Sequence, residues 1–99
     1  MEKRNYRRHL LQARVVVSPF NTERRHEARM QNYSEGGMYF ESLMPLKERT
    51  PLLLLLENTS GADARKHFGL RNQTLGEIRW IREPGDARIQ PYGYGVKYY

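Results

Sequence analysis

Cysteine is absent from the 99 residues, which excludes a disulfide framework, a thiolate metal site and a cysteine nucleophile, and fits a reducing compartment. Long apolar runs are missing as well. The longest, Leu52 to Leu56, is five residues, against the roughly 20 that a membrane helix requires, so no stretch reads as a signal peptide or a bilayer span. A soluble cytoplasmic protein without membrane insertion is the expectation. The three histidines, His9, His26 and His67, lack the short spacings of metal sites, and no metal is assigned. Neither a Walker-type glycine loop nor a strand-turn-helix nucleophile elbow occurs, so the chain reads as a non-enzyme that needs no cofactor. Ninety-nine residues leave room for one core and no second.

Acidic charge is scarce: eleven Asp and Glu stand against seventeen Lys and Arg, a formal net charge of +6. Its distribution is uneven. The first 30 residues hold Lys3, Arg4, Arg7, Arg8, Arg14, Arg24, Arg25 and Arg29 against Glu2, Glu23 and Glu27, a net +5, which leaves +1 for the rest. An anionic partner near the N-terminus accounts for this, and so does a solvated face that keeps the protein soluble.

Along the chain, residues 1–9 have neither strand alternation nor a helical stripe and read as a mobile arm. The β-branched cluster Val15, Val16 and Val17 predicts a strand over Leu10 to Ser18, ended by Pro19 and Asn21. Residues 24–33 alternate, with Ala28, Met30 and Asn32 on one side and Arg25, Glu27, Arg29 and Gln31 on the other. A turn at Ser34-Glu35-Gly36-Gly37 leads to a third strand, Met38 to Ser42; the two glycines permit positive φ or close backbone approach. Leu52 to Glu57, bracketed by Pro45 and Pro51, reads as a buried strand, with one turn of helix as the competing reading. A loop over Asn58 to Lys66, a strand around Asn72 to Arg82, a turn at Glu83 to Asp86 and a last strand from Ile89 to Tyr98 complete the chain. Six short strands with no long helix predict an all-β fold, a small six-stranded antiparallel barrel.

Two local patterns carry chemistry. Arg4-Asn5-Tyr6-Arg7-Arg8 is an Arg-x-x-x-Arg, and Asn32-Tyr33-Ser34-Glu35-Gly36-Gly37 is an Asn-x-Ser-x-x-Gly. Each has a plain reading: arginines four apart recur in any basic chain, and Asn, Ser and Gly build ordinary hairpin turns. Together, one before and one after the first strand, they resemble the PilZ domain. Gly76-Glu77-Ile78-Arg79-Trp80-Ile81 is similar to that family's penultimate strand, and Tyr92-Gly93-Tyr94-Gly95-Val96-Lys97-Tyr98 to its closing strand, so the resemblance covers essentially the whole chain. It implies one domain over residues 1–99, with an Arg-rich arm at 1–9 and a split barrel at 10–99.

The resemblance also implies a ligand, the bacterial second messenger cyclic di-GMP, and a protein effector that reads the bound state in motility, biofilm or exopolysaccharide control. It carries ligand-binding roles onto Arg4 and Arg8, with Arg7 as a third candidate, because a guanidinium fork suits guanine O6 and N7 or paired phosphate oxygens. On the turn it implies Asn32 at a guanine edge, Ser34 at guanine or phosphate, and Gly36 and Gly37 where backbone approaches closely. Asn32 replaces the commoner Asp, a neutral amide for an anionic acceptor, which lowers the expected affinity. Lys3 and Trp80 are peripheral candidates: Lys3 for a second ligand molecule, Trp80 for packing against a guanine, although a lone Trp on a strand is more often core. Tyr92, Tyr94, Tyr98 and Tyr99 are expected in the barrel packing or an effector surface. A ligand bridging the arm to the turn would order the arm, repaying roughly 1 to 2 kcal/mol per residue with charge-assisted contacts of roughly 1.5 to 3 kcal/mol each.

Two rivals differ in class. A barrel that binds single-stranded nucleic acid also combines basic charge with aromatics, but this sequence concentrates its charge near the N-terminus, which makes nucleic acid the weaker reading. A PilZ fold acting only as a protein-interaction module has no need of both patterns.

Overall fold

The structure, a computed structural model, describes residues 9–57, 73–83 and 91–99. Six strands, β1 (His9–Pro19), β2 (His26–Ser34), β3 (Gly37–Ser42), β4 (Pro51–Leu56), β5 (Gln73–Arg82) and β6 (Tyr92–Tyr98), close into a barrel in the order β1-β2-β3-β6-β5-β4. Every neighbouring pair is antiparallel, including β4 with β1, so no edge is left open. The six-stranded antiparallel barrel expected from the sequence is the fold found. Among the described residues no helix is long and apolar enough to cross a membrane. The loop expected over Asn58 to Lys66, the Pro84-Gly85-Asp86 part of the next turn and the first residues of the last strand, 89–90, lie outside the described residues.

Strand bounds differ from expectation where side chains hold the backbone out of the ladder. β2 starts at His26, two residues late, because the preceding connection is pinned on itself: Ser18 Oγ donates to Arg24 O at 2.6 Å and Thr22 Oγ1 to Pro19 O at 2.8 Å. Asn21 turns this corner with φ 67°, a left-handed conformation that Asn tolerates. The leucine run is strand, without a helical turn, and it is buried on one face only: Leu52, Leu54 and Leu56 enter the core while Leu53 and Leu55 stay half-buried outside.

Inward residues of all six strands fill the barrel: Val15, Val17, Met30, Tyr33, Met38, Phe40, Leu52, Leu54, Ile78 and Tyr94 are each at most 1% exposed. The connection from β3 to β4 passes the ends of β6 and β5 and is tied to the core by Tyr94. Its buried hydroxyl donates to Met44 O at 2.6 Å and accepts from Leu46 N–H at 2.8 Å. Burial pushes the Tyr94 pKa up, opposed by the Leu46 hydrogen bond.

Three register shifts interrupt the ladders, between Leu10 and Ala13 in β1, Met30 and Asn32 in β2, and Ile78 and Trp80 in β5. Against β3, β2 spends one extra residue, Gln31; against β6, β5 spends one extra, Arg79. An extra residue reverses the facing of every residue after it. Met30 therefore points in, and so does Tyr33 three residues on, leaving Asn32 between them on the outer face. Asn32 had been expected on the side of Ala28 and Met30; the bulge at Gln31 moves it to the other. Likewise Ile78 and Ile81 pack inward, and Trp80, which unbroken alternation would place beside Ile78 in the core, stands outside with 46% exposure.

Candidate functional site

The β2–β3 hairpin supplies the turn residues. Its loop is Glu35-Gly36, since Ser34 and Gly37 already pair as the last rung. Ser34 is 4% exposed, and its Oγ accepts the Gly36 N–H at 3.2 Å, so the hydroxyl closes the turn on itself. Gly37 answers to the barrel: a Cβ there would clash with the carbonyl oxygen of Val96 and stand 3.1 Å from its carbon, so only glycine lets β3 approach β6 at this rung. Close backbone approach, one of the two uses expected of these glycines, is the one seen at Gly37.

Register continues this hairpin into a row across the outer face. Leu10, Asn32, Tyr39, Gly95 and Trp80 are successive partners on β1, β2, β3, β6 and β5. The two bulges thus place Asn32 and Trp80 on the same surface and the same level, with Tyr39 and Gly95 between them. The indole lies over Gly95, where a Cβ would be 2.7 Å from Trp80 Cζ2, and the Tyr39 ring lies over Gly93, where a Cβ would be 2.7 Å from Cζ. Both rings therefore rest on bare backbone. They stack on each other with centroids 5.3 Å apart and planes 19° from parallel.

A second row, one outward position along, is charged. Arg14, Arg29, Glu41, Gly93 and Arg82 are successive partners. Glu41 and Arg82 meet across the side-chain-free Gly93, with Nη2 donating to Oε2 at 2.7 Å. Tyr39 Oη donates to the same oxygen at 3.4 Å, and the Arg82 guanidinium carbon stands 6.0 Å from the Tyr39 ring centre. Burial raises the Tyr39 pKa and the nearby Arg82 charge opposes it. At the other end Arg14 pairs with Glu27 and, at 3.6 Å, with Glu57. An open groove lined by Arg14, Glu27, Arg29, Glu41 and Leu43 flanks this row. Gln31, the extra residue of β2, is held by Gln12, whose Nε2 donates to its Oε1 at 3.0 Å.

Of the residues singled out in the sequence, Asn32 and Trp80 share one row of the outer face, whereas Ser34, Gly36 and Gly37 form the turn at the end of the same hairpin, Ser34 and Gly37 both buried. Lys3, Arg4, Arg7 and Arg8 lie outside the described residues. What sequence reasoning missed is the aromatic partner Tyr39 and the Glu41–Arg82 pair. The signal was Gly93 and Gly95 two apart on one strand, which leave the outer sheet bare and call for rings from its neighbours. Among the described residues no group of three or more His, Cys, Asp or Glu side chains is placed to hold a metal.

Comparison with known proteins agrees with this architecture. Among solved structures, the chain is similar to the Bacillus subtilis inhibitor of motility MotI/DgrA, with 18% identity and a TM-score of 0.70 over 99% of this chain and 43% of that one. It therefore spans less than half that protein's length. It is also similar to the PilZ domain of Escherichia coli YcgR, solved with c-di-GMP, with 14% identity and a TM-score of 0.67 over 98% of this chain and 78% of that one. At such identities the likeness is one of fold. No curated protein sequence matches. The family model of the PilZ domain matches residues 2–99, and with the whole barrel accounted for in this way the chain belongs to the PilZ domain family.

Proposed function

We propose that this chain is a cyclic di-GMP sensor or adaptor domain that holds the dinucleotide between its N-terminal arginines and the outer face of β2, β3, β5 and β6. The observation that carries the reading is the register at the start of β1. His9 pairs with Tyr33 and Leu10 with Asn32, so the chain enters the barrel beside the Asn32–Ser34 turn. Arg8, Arg7 and Arg4 precede His9 by one, two and five residues. The sequence just before this entry point supplies arginine forks and the described face supplies an amide and an exposed indole, a set that suits phosphodiesters and guanine edges together. The fold likeness to a PilZ domain solved with c-di-GMP supports the same ligand.

Nucleic acid is disfavoured by the charged row. Two of the three arginines of that row are matched by acids: Arg14 by Glu27 and Glu57, and Arg82 by Glu41. A single-strand binder needs an unbroken positive groove. A protein effector would read the arm once the ligand has drawn it onto the barrel, so the domain acts by binding and without catalysis.

Isothermal titration calorimetry with cyclic di-GMP at near-physiological salt, with GTP and cyclic di-AMP as controls, tests the reading. Saturable, guanine-selective binding that weakens at least roughly tenfold in Arg8→Ala is expected, since one charge-assisted contact accounts for about a decade. Absence of heat at high ligand concentration would sink it.

A further inference from the structure

From the pairing of Glu41 with Arg82 beside the aromatic platform, we infer that these two side chains read a guanine edge and set the base specificity of the site; this rests on the reading of the chain as a cyclic di-GMP sensor. Neither residue belongs to the turn or the arm. Both stand on the outer face, on the strands either side of Gly93, and touch across it. Both described hydrogen bonds to Glu41 end on Oε2, from Arg82 and from Tyr39. The carboxylate is therefore fixed in orientation, with the side chain still 25% exposed, and Arg82 spends a single N–H on it while remaining 60% exposed.

The order of these groups matches guanine. Along its edge guanine offers N7 and O6 as acceptors, then N1–H and the 2-amino group as donors. A guanidinium can donate to the first two, and a carboxylate adjacent to it can accept from the second two, each in a bidentate arrangement. A base stacked on the exposed indole of Trp80 has Tyr39, Glu41 and Arg82 as its neighbours, because Tyr39 contacts Trp80, Glu41 and Arg82 alike. Adenine mismatches the pair. It turns an amino donor toward the guanidinium and a lone pair at N1 toward the carboxylate, so like meets like at both positions. An isolated surface ion pair contributes little to stability, so substitution here moves specificity more than fold.

The test is calorimetry of the 99-residue chain with cyclic di-GMP and with cyclic di-IMP, the analogue whose bases lack the 2-amino group. The unaltered chain is expected to bind cyclic di-GMP roughly tenfold more tightly than cyclic di-IMP. Glu41→Gln abolishes the preference, leaving the two within about twofold, by weakening cyclic di-GMP. Arg82→Lys weakens both ligands by roughly tenfold and keeps the preference, since lysine has no fork for N7 and O6. An unaltered chain without preference, or a Glu41→Gln chain that keeps it, overturns the inference and leaves the sensor reading standing. Failure of the unaltered chain to bind either ligand overturns the sensor reading and this inference with it.

Discussion

Two glycines of this barrel occupy similar rungs and fail differently when filled. At Gly37 an added methyl would meet the backbone of Val96, which cannot move without parting β3 from β6. Gly37→Ala should cost about 1 to 3 kcal/mol as an overpacking change, lowering the melting temperature by several degrees. At Gly95 the methyl meets the indole of Trp80, an exposed side chain free to swing outward. Gly95→Ala should leave the melting temperature nearly unchanged while displacing the ring from its stack on Tyr39. If that ring packs against a guanine, cyclic di-GMP affinity falls roughly tenfold, as for loss of one stacked base, and Trp80→Ala does the same. Thermal melts beside ligand titrations of these three variants separate the two roles. A Gly95→Ala chain that binds as tightly as the parent would remove Trp80 from the ligand's surroundings.

At the scale of the strand, what aims the site is a pair of single-residue insertions. Had Gln31 kept an ordinary place in the ladder, Asn32 would face the core beside Met30; had Arg79 done so, Trp80 would face it beside Ile78. Much of the strand pattern was legible in the sequence, because β-branched runs, alternation and Gly, Pro and Asn punctuation carry it directly. The facing of Asn32 and Trp80 was not, since an added residue has no composition of its own and Gln31 and Arg79 are ordinary strand residues. A trace did exist. In both strands the inward apolar residues are three apart across the insertion, Met30 to Tyr33 and Ile78 to Ile81, where an unbroken strand allows only two or four. The same reasoning yields a test. Deleting Arg79 should remove the bulge and leave Ile78 and Ile81 two apart, as in an unbroken strand, so that Trp80 between them stays outside with unchanged emission and unchanged acrylamide quenching. Arg79→Ala keeps the insertion and, as an exposed substitution, should stay within about 0.5 kcal/mol of the parent with unchanged emission. A blue-shifted emission in the deletion would mean that the strand slips its register and carries Trp80 inward.

Across the whole molecule, charge and barrel are divided unequally along the chain. All six strands run from His9 onward, whereas residues 1–8 hold Lys3, Arg4, Arg7 and Arg8 against one acid, Glu2, so their removal takes the formal charge from +6 to +3. On the described outer face the site's own arginine, Arg82, is already matched by Glu41, and Arg14 by Glu27 and Glu57. Two phosphodiesters brought to that face alone would find an amide, two rings and mostly neutralised cations. The arm is therefore where the proposed ligand must find its counter-charge, and a chain shortened to residues 9–99 separates fold from function. It should keep the β-sheet circular dichroism of the parent and melt within a few degrees of it. Its cyclic di-GMP affinity should fall by at least roughly a hundredfold, the loss of two or more charge-assisted contacts at about a decade each. The double variant Arg4→Lys, Arg8→Lys keeps the formal charge of the whole chain and removes only the guanidinium forks. If the arm acts through shape as well as charge, this variant binds roughly tenfold more weakly than the parent, between parent and shortened chain. If it binds like the parent, the arm contributes charge alone, and base recognition falls wholly to the rigid face that Asn32, Trp80, Glu41 and Arg82 share.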